Sequence, residues 1–118
     1  MIEIRHIAPQ DTYSIRNQIL RFNQPFNNGN DHSDFLLRTF HLGAFYNEEL
    51  IGVASFYQEN NPLFKEMNQY RIRGMTTLKN YRGQKVGSSF ILYGESILKK
   101  RNARLLWCHT KVSEINLL

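Results

Sequence analysis

Apolar and polar residues follow two periods along this chain. IEIRHI (2–7) has period two and predicts a strand, whereas residues 11–22 place Ile15, Ile19 and Phe22 on one stripe of a 3.6-period helix, with Asp11 as its N-cap. A short helix through FLLRT is expected next, capped by Asp31 or Ser33. FHLGAFY (40–46) and LIGVASFYQE (50–59) return to strand character, and the tight NEE connection makes them a hairpin. YRIRGMTTL (70–78) is a further strand, residues 84–101 a helix, and ARLLWCHT (103–110) a last strand. The order β-α-α-β-β-β-α-β defines an α/β domain. Asn, Gly and Pro clusters at 23–34 and 58–69 mark loops rather than domain boundaries.

Composition narrows the picture. A chain of 118 residues, 42% hydrophobic and 13% aromatic, suffices for one core and is too short for two. Nothing approaches the roughly 20 apolar residues of a membrane span, and no leader-like start is present. Cys108 is the only cysteine, which excludes an intramolecular disulfide or a thiol metal cage and suits a reducing, cytoplasmic setting. Charge is placed unevenly: residues 1–60 carry four Lys or Arg against seven Asp or Glu, and residues 61–118 carry eleven against three. The halves are −3 and +8, so an anionic ligand belongs to the second.

That half holds the turn between the strand at 70–78 and the helix at 84–101. A strand feeding directly into a helix presents the helix's first free N–H groups and the positive end of its dipole. Gly83 and Gly87 allow close approach to the backbone, Ser88 and Ser89 offer hydroxyls, and Lys79, Arg82 and Lys85 add cations. A diphosphate would satisfy these groups together. On the residues alone, Gly83 is equally an ordinary turn glycine and Gly87 a packing glycine, a role supported by Gly94 seven residues on and on the same face.

YRIRGMTTLKNYRGQKVGSSFILYGESIL resembles the acetyl-CoA-binding core of the GCN5-related N-acetyltransferases (GNAT), in which a strand ending in RGM precedes an Arg/Gln-x-x-Gly-x-Gly/Ala loop and a long helix. The likeness extends over residues 2–109. It implies a GNAT-like mixed sheet flanked by helices, with acetyl-CoA as co-substrate and a primary amine as acceptor. The diphosphate of CoA would lie on Arg82, Gly83, Gln84, Lys85, Val86, Gly87 and Ser88, and the pantetheine arm along Met75, Thr76 and Thr77. The Met75 amide would bind the oxyanion of the tetrahedral intermediate.

The chain departs from the family pattern in two places. Lys85 stands where the loop has its first glycine; a helical backbone there would turn the side chain outward. After the fifth strand, HTKVSEINLL stands where the family continues through an Asn-containing turn, a helix with a thiolate-protonating tyrosine, and two more strands, so the chain reads as C-terminally incomplete. An uncovered fifth strand would expose Leu105, Leu106 and Trp107 and favour a homodimer or higher oligomer. Acid–base candidates are Glu66 and His109, beside Glu59, which with Glu66 flanks the fourth strand on loops, and His41, which like His109 lies on a neighbouring strand. Cys108 and His109 point to opposite faces of one strand and cannot pair. His32 between Asp31 and Asp34 is better explained by capping than by a metal, so no metal is expected. Two other classes compete: a non-catalytic CoA-binding or interaction domain, and a nucleic-acid binder suggested by KKRNAR (99–104), which the CoA-like loop disfavours.

Overall fold

The computed structural model describes residues 1–19, 35–108 and 112–114. One six-stranded sheet runs through it in the order β1-β2-β3-β4-β5-β6, formed by β1 (Ile2–Ile7), β2 (Phe40–Tyr46), β3 (Glu49–Gln58), β4 (Gln69–Thr77), β5 (Leu105–Trp107) and β6 (Val112–Glu114). Neighbouring strands are antiparallel except β4 and β5, which are parallel and joined through helix α2 (Val86–Lys100). Parallel neighbours need such a crossover, so the mixed sheet follows from the element order. The β2–β3 hairpin turns on Asn47 and Glu48, both left-handed at φ 50 and 68, the pattern of a two-residue type I′ turn.

Strand alternation separates two faces. Phe40, Leu42 and Ala44 of β2, Ala54 and Phe56 of β3, and Tyr70 and Ile72 of β4 form one buried cluster with Val86, Phe90 and Leu98 of α2. Burying each large side chain contributes roughly 1.5–3 kcal/mol. Phe40 and Phe56 stack at 4.6 Å, and Gly94 of α2 lies over that pair, where a Cβ would come within 2.5 Å of the Phe56 ring. The opposite face, carrying His41, Ser55 and Tyr57, is met by helix α1 (Tyr13–Ile19) through Arg16.

Several expectations change in detail. A 3-10 turn at Pro9–Thr12 precedes α1, and Asp11 caps it from the third position, accepting the Ala8 N–H at 3.0 Å, rather than as the N-cap. Residues 20–22 of the expected first helix, and Asp31, His32 and Ser33 before the expected second, lie outside the described residues. Of FLLRT, the described part is a turn closed by the Thr39 N–H to the Leu36 carbonyl at 3.0 Å. Helix α2 starts at Val86 because Lys85 is left-handed. Its end is set by Asn102, also left-handed at φ 60, with the Ala103 N–H bonded to the Leu98 carbonyl at 3.0 Å.

The fifth strand is shorter than residues 103–110 and is not an open edge. Its three residues pair with β4 (Gln69↔Leu105 to Arg71↔Trp107) on one side and with β6 (Leu105↔Glu114 to Trp107↔Val112) on the other. Leu105, Leu106 and Trp107 are accordingly only 1%, 3% and 6% exposed. The edge from which association with a second copy was expected is paired within the chain.

Candidate functional site

Beyond Arg71↔Trp107 the two parallel strands part: β5 ends, while β4 runs on to Thr77. Residues 74–77 of β4 therefore run past the end of β5. On its other side β4 remains paired with β3, but with one extra residue. Ser55 opposes Arg73 and Val53 opposes Thr76, so Gly74 and Met75 together oppose Ala54. This is a β-bulge, and Gly74 supplies the left-handed residue at φ 67 that it needs. The Met75 side chain, 40% exposed, leaves the bulge toward α2, where its Cε lies 3.6 Å from the point a Cβ on Gly87 would occupy.

Past Thr77 the chain is tied down quickly. The Leu78 N–H donates to the Ile51 carbonyl at 2.8 Å, Lys79–Tyr81 make a 3-10 turn, and Arg82 Nε returns to the Thr77 carbonyl at 3.1 Å. An open groove of about 320 Å³ results, lined by Thr77, Tyr81, Arg82, Gly83, Lys85, Val86, Gly87 and Ser88. The first helical bond at the head of α2 runs from the Ser89 N–H to the Lys85 carbonyl at 3.0 Å, which leaves the amides of Val86, Gly87 and Ser88 without helical acceptors. The Ser89 hydroxyl donates to that same carbonyl at 3.0 Å, so Ser88 is the serine available to a ligand.

Lys85 is not helical, contrary to the outward-turned arrangement considered above. It is the N-cap of α2 at φ 62 and ψ 27, a glycine-like conformation held by a residue with a Cβ. Tyr81 donates to Glu49 Oε1 at 3.3 Å. Partial burial first, and then the Glu49 charge, hold its phenol above the ordinary value of 10, so it stays protonated at neutral pH.

Of the expected residues, Thr77, Arg82, Gly83, Lys85, Val86, Gly87 and Ser88 line the groove and Met75 packs beside Gly87; Thr76 is buried next to them in β4, and Gln84 is not among the lining residues. The acid–base candidates do not gather there. Glu66 belongs to the loop before β4, where its carbonyl accepts from the buried Gln69 Nε2 at 2.9 Å; Gln69 to Met75 is roughly 20 Å of extended strand. Glu59 is ion-paired with Arg71 at 3.1 Å, and its carbonyl accepts from Trp107 Nε1 at 2.9 Å. His109 lies outside the described residues.

On the α1 face the structure reveals a buried polar group that pattern reading did not assemble. Arg16, only 3% exposed, donates to the Ser55 hydroxyl and reaches the Tyr57 hydroxyl at 3.5 Å; Ser55 Oγ is 2.6 Å from His41 Nδ1. The available signal was the placing of His41 and Ser55 inside otherwise apolar strands.

A mixed sheet that parts between two parallel strands, beside a glycine-containing helix head rich in amides and cations, defines an acyl-CoA-binding transferase fold. The chain belongs to the acetyltransferase (GNAT) family, whose pattern matches residues 2–117. It is 40% identical over 111 residues to the uncharacterized N-acetyltransferase YitI of Bacillus subtilis (strain 168), covering 94% of this chain and 74% of that protein. The fold is similar to AAC(6')-Iy in complex with the bisubstrate analog CoA-S-monomethyl-acetylneamine (TM-score 0.76, 13% identity, 94% of this chain and 80% of that one). It is also similar to a predicted acetyltransferase with acetyl-CoA from Clostridium acetobutylicum (TM-score 0.66, 19% identity, 92% and 80%).

Proposed function

We propose that this chain transfers an acetyl group from acetyl-CoA to a primary amine, with the groove at 82–88 as diphosphate cradle and the β4 opening as the site of transfer. The observation that carries this reading is the continuity of the two: the part of β4 that outruns β5 leads directly to the amides of Val86, Gly87 and Ser88, which have no helical acceptors. The donor set fits a diphosphate, since three amides converge at a helix N-terminus with Arg82 and Lys85 lining the same groove. Thr76 and Thr77 flank the path that an amide-bearing arm would take along β4.

Bound there, acetyl-CoA supplies a thioester carbonyl open to attack. The Met75 amide donates to the oxygen as it becomes an oxyanion, an interaction typically worth 10²–10³-fold in rate. Neither Glu66 nor Glu59 stands at the bulge, so the amine is best presented already neutral, and turnover rises with pH. A thiolate leaving group with a pKa near 8.5 needs little help from an acid. No described helix is long and apolar enough to cross a membrane, and a cytoplasmic enzyme suits the single thiol.

The test is CoA release from acetyl-CoA with polyamines, amino acids and aminoglycosides between about pH 6 and 9. Turnover that climbs with pH supports the assignment. Tight CoA binding without turnover of any amine would favour a non-catalytic CoA-binding domain, and affinity for nucleic acid that falls steeply with salt and ignores CoA would favour the basic binder.

A further inference from the structure

Arg16 of α1 packs directly beneath the Gly74–Met75 bulge. Arg16 reaches up from α1 so that its Nε and Nη2 lie 2.8 Å, and its Cζ 3.0 Å, from the point where a Cβ on Gly74 would stand. The guanidinium therefore occupies the space that the missing side chain leaves. The same group donates to Ser55, the residue paired with Arg73 immediately before the bulge, and Ser55 contacts His41 on β2. One buried cation thus joins the bulge to β3 and β2 at the point where register is irregular.

A guanidinium is a costly filler for such a place. A buried charge needs hydrogen-bonding partners, whereas a Met or Leu of similar volume would pack α1 against the sheet without that requirement. What the apolar residue could not do is fix register. A one-residue slip would turn Met75 and Thr76 to the wrong faces of the strand.

Resting on the reading given under Proposed function, we propose that Arg16 is a positioning residue of the transfer site: lying in the gap at Gly74 and bonded to Ser55, it sets the bulge so that the Met75 amide meets the thioester oxygen. It touches neither substrate. Its effect is on kcat, because the diphosphate cradle at 82–88 is built from a different segment.

The experiment compares the full chain with its Arg16→Met, Arg16→Lys, Ser55→Ala and Gly74→Ala variants, together with the Arg16→Met/Gly74→Ala double variant. In Arg16→Met, kcat is expected to fall about 10–100-fold, the range that an ångström of misplacement produces, with KM for acetyl-CoA and Kd for CoA within about twofold of the parent. Arg16→Lys recovers part of the loss, since an ammonium can donate to Ser55 without covering Gly74. Gly74→Ala displaces the guanidinium and lowers kcat similarly, and the double variant loses no more than the worse single one. Hydrogen exchange at Arg73 to Thr76 quickens in each.

An unchanged kcat in folded Arg16→Met overturns the proposal, as does a parallel rise in KM and CoA Kd. Should Arg16→Met not fold, Ser55→Ala and Arg16→Lys give the same readout, and parental kcat in both overturns it. A parent that binds CoA but turns over no amine defeats the acetyltransferase reading instead. The exchange rates at the bulge then still decide whether Arg16 pins it.

Discussion

Replacing Lys85 by glycine should move stability and affinity in opposite directions. The left-handed conformation at φ 62 costs a residue with a Cβ about 1–2 kcal/mol, whereas glycine adopts it freely. Against this stands the greater freedom of a glycine in the unfolded chain, about 0.4–1 kcal/mol. The ligand-free Lys85→Gly protein is therefore expected to be about 0.5–1 kcal/mol more stable, a rise in Tm of roughly 2–5 °C for a domain of this size. The same change removes one exposed cation from the groove, worth about 0.5–1 kcal/mol toward a diphosphate, so CoA should bind roughly 2–5-fold more weakly, with a shallower salt dependence. Lys85→Ala separates the two effects: it keeps the backbone strain and loses only the charge, so its ligand-free Tm should not rise while its CoA affinity falls. Thermal melts with and without millimolar CoA, and titration calorimetry at two salt concentrations, read both quantities. A Lys85→Gly protein that melts at or below the parent would refute the left-handed assignment. Undiminished CoA affinity in both variants would show that the side chain does not meet the phosphates.

Gly87→Val should abolish the thermal shift given by CoA, whereas Gly87→Ala should fold like the parent, because a single Cβ there meets Met75 only at 3.6–3.8 Å; equal CoA shifts in the valine variant and the parent would remove the groove from consideration. Gly94→Ala gains about 1 kcal/mol of helix propensity but drives a methyl to 2.5 Å from the buried Phe56 ring, so a net loss of about 1–3 kcal/mol is expected in urea unfolding, and a more stable variant would contradict the close helix–sheet approach. The Arg5 guanidinium, bonded to Glu48 at 2.9 and 3.2 Å, holds that carboxyl below its ordinary 4.5, first by hydrogen bonding and then by charge. A depressed acid stabilises above its unfolded value and loses that contribution as pH falls through the folded one. Glu48→Gln should therefore lose less Tm than the parent between about pH 6 and 3, and identical acid limbs would show that the pair does not form in solution.

Strong period-two patterning made the hairpin legible: β2 spans residues 40–46 as read, and β3 and β4 each begin one residue before the reading. The helix head stood out as a candidate anion site because glycines, cations and the strand-to-helix switch coincide over a few residues. The bulge was not, although an isolated glycine inside a strand is its usual sign, since YRIRGMTT also scans as unbroken strand. Arg16 escaped for a different reason. It sits beside the apolar stripe of α1, and nothing local tells a buried guanidinium from a solvated one; its partner Ser55 is 39 residues away in the chain. β6 is three residues long, too short to show a period, and its pairing depends on an edge that only the folded sheet presents.

Sheet order here is the same as chain order, with each strand laid beside its predecessor. A chain emerging from the ribosome can thus extend its sheet from one edge, never needing to insert a strand between two already paired. Two closures wait on longer stretches: residues 8–39 must be made before β1 meets β2, and residues 78–104 before β5 meets β4. The second has only three paired residues to hold it, yet it brings the helix head and the strand opening into one place. The nascent protein would therefore complete its hairpin core well before the helix head and the end of β4 come together, and a ligand held there would act on a late and thinly paired step of folding.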